Sequence, residues 1–162
     1  MKALVVIDVQ KHFINRHTRN LPKKIRAFIL QNRRIFDYVL FTKFVNKKTS
    51  NFVKIVRWKK CFGPPEIDIH KDLSEFACKE NTFEKTSFSA FKSRKFQNFI
   101  KRNKIKELYL CGTDTEACVF ATAMDAFDLG YKIKVLKDLC GSHHGRKFHE
   151  IGEADHDRRL QF

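Results

Sequence analysis

The chain has 162 residues, 43% of them hydrophobic and 31% charged. That suits a single domain spanning residues 1–162 with a sizeable core, and it excludes a disordered chain. Net charge is +15 and unevenly placed: residues 1–60 carry 16 Lys/Arg against Asp8 and Asp37 only, whereas residues 61–162 balance to +1. A basic third of this kind is either a solvated face or a nucleic-acid surface. With no zinc-finger spacing and no RNA-binding aromatic motif, the solvated face is expected and a nucleic-acid partner is not.

No apolar run approaches the roughly 20 residues of a membrane helix. "MKALVVIDVQ" is interrupted by Asp8, with no small-residue cleavage site after it, so a membrane partner and a signal peptide are not expected. Cys61, Cys78, Cys111, Cys118 and Cys140 are odd in number and contain no C-x-x-C pair. That argues against a disulfide framework or a cysteine zinc site and predicts a reducing, cytoplasmic setting.

Residues 3–7, "ALVVI", form a continuous apolar, β-branched run, as in a parallel strand covered on both faces. Residues 22–35 predict a helix opening at Pro22, with Ile25, Phe28, Ile29 and Ile35 on its apolar face. "YVLFTKFV", 38–45, reads as a strand. Residues 46–82 read as a long loop with a short extended piece in "CFGPPEIDIHKDL". Loops of that length are commonly functional. A weak strand signal follows in 80–91, then a basic surface helix over 92–104 and a buried strand over 107–112. Residues 115–130 predict a helix closed by Gly130, 132–139 a strand and 143–160 a helix. Strands alternating with helices predict an α/β fold, a parallel sheet with helices on both faces.

Ligands bind at the carboxyl ends of such strands. Asp8 ends the first strand, Lys85 the weak strand, and Cys118 follows "ELYLCG" at the start of the next helix. Each has a plain structural reading: a capping acid, one lysine among many, a small buried hydrophobe. Cys111 keeps that last reading. Cys118 sits at a helix N-terminus, whose free N–H groups favour thiolate. Together the three residues make a nucleophile, a carboxylate to accept its proton and return it to a leaving amine, and a lysine to hold the charges. The backbone N–H groups before Cys118 suit an oxyanion. That combination predicts hydrolysis of a C–N bond through a thioester.

At these residues the sequence resembles the isochorismatase-like cysteine hydrolases, the superfamily of nicotinamidases, N-carbamoylsarcosine amidases and ureidoacrylate amidases. The matching motifs are "DVQKHF" (Asp8–Phe13), "KTSFSAF" (Lys85–Phe91) and "GTDTEACVFATAMDAFDLGY" (Gly112–Tyr131), in order and over essentially the whole chain. The resemblance implies Asp8 as general base, Lys85 as electrostatic partner and Cys118 as nucleophile. It also implies a cis peptide at Thr113–Asp114, aiming the N–H groups of Asp114 and Cys118 at the substrate oxygen. The implied fold is a three-layer α-β-α sandwich on a mostly parallel sheet of about five to six strands. Family members are often oligomeric. The implied enzyme is a hydrolase of non-peptide carbon–nitrogen bonds, acting on a small amide, ureido or carbamoyl compound with no cofactor.

Departures from the family pattern sharpen this reading. Nicotinamidases carry a metal-binding D-x-H after their second strand, where this chain reads "FTKFVNKK". Asp68–His70 has that spacing but lies elsewhere, and "GSHHG" (His143, His144) lacks an acidic or cysteine partner at metal-site spacing. A metal-independent enzyme is therefore expected, which argues against nicotinamidase activity. Phe13, Phe91 and Trp58, the last in a loop that would lid the site, are the expected substrate-binding residues. The chain stops at "RRLQF", so the last edge strand is expected to be short or missing, leaving an edge for an oligomer contact. The rival reading is a non-catalytic α/β module that binds nucleic acid or a protein partner through the basic N-terminal third.

Overall fold

The computed structural model describes the backbone of residues 1–160 and the side chains of residues 1–156. The expected remnant of an edge strand in "RRLQF" reaches Gln161 and Phe162, outside the described residues. The run "ALVVI" is buried throughout and forms most of strand β1 (Lys2–Ile7). Helix α1 (Leu21–Gln31) follows, with Pro22 in its first turn and Leu21, Pro22, Ile25 and Ile29 buried. It ends four residues before the expected Ile35. The Asn32 side chain donates to the Phe28 carbonyl at 2.8 Å and closes the last turn. Ile35 is left 53% exposed, and Phe36 packs in its stead against Phe28 and Tyr109.

Strand β2 (Tyr38–Phe44) is followed by a single helical turn, α2 (Asn51–Lys54), capped by Ser50. The weak strand signal is a four-residue strand, β3 (Thr82–Lys85). Helix α3 (Arg94–Arg102) buries Phe96 and Ile100 under a basic outer face. Strand β4 (Glu107–Thr113) leads into a wide π-helical turn, Thr115–Val119, and then helix α4 (Phe120–Asp128). Strand β5 (Lys132–Gly141) and helix α5 (Arg146–Leu160) complete the order.

The five strands form one parallel sheet in the order β3-β2-β1-β4-β5, flanked by helices in an α-β-α arrangement. Continuous apolar strands demand this cover, since each wholly buried Val, Leu or Ile contributes roughly 1.5–3 kcal/mol only if both faces are shielded. The chain winds outward from β1 to β3 and then crosses back to β4 on the other side of β1. The point where winding reverses lies between β1 and β4, and such points open a crevice at the strands' carboxyl ends. Ile7 there pairs with Gly112. A Cβ on Gly112, at φ +123°, would stand 2.1 Å from the Ile7 carbonyl oxygen, so the two strand ends come this close only because residue 112 is glycine. No described helix is long and apolar enough to cross a membrane.

Candidate active site

Three strand ends bring Asp8, Lys85 and Cys118 to one point. Asp8 leaves β1 at φ 50°, a left-handed conformation that neighbours hold in place. Thr42 Oγ1 donates to Asp8 Oδ1 at 2.7 Å, and Thr113 Oγ1 donates to the Asp8 carbonyl at 2.8 Å. Lys85 Nζ lies 2.5 Å from Asp8 Oδ2, with both side chains essentially unexposed. The same ammonium donates to the Ser87 carbonyl at 2.9 Å and to Cys118 Sγ at 3.4 Å. It also stands 5.4 Å from the centre of the Phe44 ring.

Cys118 sits in the π-helical turn, braced on two sides. Thr122 Oγ1 donates to the Cys118 carbonyl and accepts from the Ala90 N–H, tying "KTSFSAF" to α4. From α5, His149 Nδ1 meets Thr115 Oγ1 at 2.6 Å, and Gly152 lies so close that a Cβ would stand 2.7 Å from the Glu116 nitrogen. The Thr113–Asp114 peptide bond is cis.

The expected resting thiolate is corrected by this environment. Burial pushes the Cys118 thiol well above its usual pKa, and Asp8 pushes the same way; the lowering by Lys85 does not overcome them. Burial lowers Lys85, but the charge of Asp8 and the hydrogen bonds to Asp8 and Cys118 offset that and hold its pKa above the ordinary lysine value. Desolvation thus favours the neutral thiol beside the Lys85–Asp8 ion pair. Cys111 keeps its expected role: its thiol is wholly buried in the core and pushed up by desolvation.

Cys118 opens onto a cavity of about 260 Å3 walled by Phe13, Phe44, Phe52, Trp58 and Phe88, with Asp114, His143 and His144 at its polar side. Trp58 and Phe13 therefore face the cavity, as expected from their place. Phe91 does not. It is 2% exposed and packs edge-on against Phe96 and tilted against Tyr131, in the core beneath the site. A larger open cleft of about 620 Å3 runs along the β3 edge past Lys43, Lys79 and Lys95, but none of Asp8, Lys85 or Cys118 lines it.

Sequence spacing missed a partner for His143. Asp114 Oδ1 accepts the His143 backbone N–H at 2.9 Å, and Oδ2 lies 2.6 Å from ring Nδ1. Ligand atoms of Asp114, His143 and His144 lie within 4.8 Å of one another, as do those of His12, Cys61 and Glu66. In the first trio Asp114 and His143 already engage each other at 2.6 Å, a contact that an ion would have to break. In the second, one Glu66 oxygen is taken by the Cys61 N–H at 2.6 Å. Asp68 pairs with Lys11, and His70 caps the turn at Lys71–Phe76, so this D-x-H holds the loop together.

The family model described as "Isochorismatase domain" matches residues 2–155. The chain belongs to the isochorismatase family. Among curated relatives, Nicotinamidase 3 of Arabidopsis thaliana is 27% identical over 142 residues, covering 81% of this chain and 68% of that protein. Isochorismatase domain-containing protein 2 of Xenopus laevis is 35% identical over 60 residues, a stretch spanning only 29% of its length. The fold of this isochorismatase-family chain is shared with the pyrazinamidase/nicotinamidase of Streptococcus mutans UA159. The TM-score is 0.85 at 22% identity, over 99% of this chain and 97% of that one. N-carbamoylsarcosine amidase of Thermoplasma acidophilum gives a TM-score of 0.79 at 20% identity, over 98% and 91%.

Proposed function

We propose that this chain is a metal-independent cysteine hydrolase that cleaves the C–N bond of a small amide, ureido or carbamoyl compound through a thioester on Cys118. One observation carries the reading: Lys85 Nζ touches both Asp8, at 2.5 Å, and Cys118 Sγ, at 3.4 Å, and Cys118 lines an aromatic cavity. Relatives named as nicotinamidases and an N-carbamoylsarcosine amidase support the same bond type.

Asp8 takes the thiol proton as Sγ attacks the substrate carbonyl, and Lys85 holds the negative charge that develops. The N–H groups of Asp114 and Cys118 receive the oxyanion. Asp8 returns the proton to the leaving nitrogen, which departs as ammonia or an amine. Water, deprotonated by Asp8, then attacks the thioester carbonyl; the C–S bond breaks, the acid product leaves, and Asp8 passes the proton to Sγ to restore the thiol. A thiol that is neutral at rest and ionises only with substrate present keeps the buried cluster uncharged overall between turnovers.

The test is an amide panel (benzamide, nicotinamide, N-carbamoyl amino acids, ureido acids, biuret) run with added hydroxylamine. The thioester predicts a hydroxamate product with release of ammonia or amine in the wild type, and none with Cys118→Ala. Turnover surviving in Cys118→Ala would sink the nucleophile.

A further inference from the structure

Nothing in the hydrolytic cycle uses the Asp114–His143 pair, yet it stands in the same cavity as Cys118. We infer that His143, backed by Asp114, is a substrate subsite that takes a carboxylate. The preferred substrates would then be small, largely apolar amides that carry an anionic group. The inference rests on the hydrolase reading for the word substrate, but not for the binding itself.

His143 is held from several sides. Its Nδ1 and backbone N–H both face Asp114, and its carbonyl accepts from Asn15 Nδ2 at 2.7 Å. Its ring packs edge-on to Phe13 at 5.3 Å, against His144 at 3.9 Å and near His12 at 6.1 Å. With Nδ1 committed to Asp114, Nε2 is the ring nitrogen left to meet a ligand. A ring fixed in this way donates without paying to orient itself. Among the described residues that line the cavity there is no Lys or Arg, so histidine is the basic side chain it offers to an anion.

Charge around the ring supports a positive state. Burial lowers the His143 pKa, but the hydrogen bond and charge of Asp114, with Glu116 behind it, more than offset this and raise it above 6.5. The other titratable groups facing it are His144 on its own turn and His12 on the turn after β1. Asp114 does not repel an incoming anion at full strength, because two donors from His143 already occupy its oxygens.

The cavity wall adds an independent argument. Residues 46–60 supply Phe52, Val56 and Trp58 to the wall, and the same segment exposes Lys47, Lys48, Lys54, Arg57, Lys59 and Lys60 with no acid among them. Basic residues on the segment that walls an apolar cavity raise the local concentration of anions. Part of the excess charge of the first sixty residues thereby acquires a use, since six of its sixteen basic residues lie on the segment that walls the anion subsite.

The probe is benzoate, with nitrobenzene as a neutral isostere, titrated calorimetrically into the full chain between about pH 5.5 and 8.5, where histidine changes charge. In the wild type, benzoate should bind at least about tenfold more tightly than nitrobenzene, the worth of one charge-assisted hydrogen bond. The preference should weaken as pH rises through the His143 titration and as salt is added. His143→Gln should abolish the preference, and His143→Lys should restore it without the pH dependence, which separates charge from mere structure. Equal binding of the two probes, or a benzoate preference intact in His143→Gln, overturns the inference. So does a preference abolished by EDTA, which would assign the anion to a metal held by Asp114, His143 and His144. A chain that hydrolyses amides yet treats the probes alike loses the subsite and keeps the hydrolase. A chain that prefers benzoate without Cys118-dependent turnover does the reverse.

Discussion

Two acid–cation pairs share the site, one at the β1/β3 side and one at the β4/β5 side, and they differ in their access to water. Asp8 and Lys85 have side chains 1% and 0% exposed. Asp114 and His143 are 7% and 20% exposed, and the histidine reaches the cavity. A wholly desolvated pair has no room to rearrange and is costly to break, so it suits a fixed proton and charge relay. A half-open pair keeps one donor for a ligand and loses less when broken. Similar chemistry thus sits in two dielectrics, one pair sealed and the other open to the cavity.

The largest expected effect falls on the contact that sets the two sides together. Gly112→Ala must drive β1 and β4 apart, since its Cβ would overlap the Ile7 carbonyl and its φ disfavours any side chain. A loss of more than about 4 kcal/mol in urea unfolding is expected. A soluble variant of near wild-type stability would mean that the close approach is dispensable.

Next comes the closed pair. Asp8→Asn and Lys85→Met each strand a buried charge and should cost about 3–5 kcal/mol. The double variant should regain part of that stability while remaining inactive on the amide panel. If the double variant is no more stable than the singles, the pair is not the coupled unit its geometry suggests.

The half-open pair gives the smallest effect, visible as a pH dependence. Asp114→Asn should cost about 1–3 kcal/mol. His143 has its pKa raised in the folded state, so its share of that stability is fully present below the unfolded value of 6.5 and is lost as pH rises through the higher folded value. The gap between wild type and Asp114→Asn should therefore narrow from mildly acidic to alkaline pH. A gap that widens with pH would reverse the assigned direction.

Asp8, Lys85 and Cys118 were legible because Asp8 and Cys118 follow apolar strands and Lys85 ends the weak one, and parallel strands deliver their carboxyl ends to one rim. Orientation off the strands was less legible. Phe13 and Phe91 both flank a motif, yet one faces the cavity and the other the core, because Phe91 lies on a short turn that packs against α3 and Tyr131. Asp114 and His143 are 29 residues apart and share no periodicity. The available signal was the pairing of β4 with β5: Thr113 pairs with Gly141, so the residues just past each strand end must meet. The charge state of Cys118 also misled, since a helix start argues for thiolate while desolvation argues more strongly for thiol.

By itself the sequence determined the strand–helix alternation, the parallel sheet and the three residues at its rim. These follow from hydrophobic periodicity and from turns that are local in the chain. Only the tertiary structure decided what surrounds Cys118: how dry it is, which aromatic rings wall the cavity and which acid holds His143. Those properties depend on distances between segments far apart in sequence, and desolvation and hydrogen bonding change sharply over an ångström while composition does not change at all.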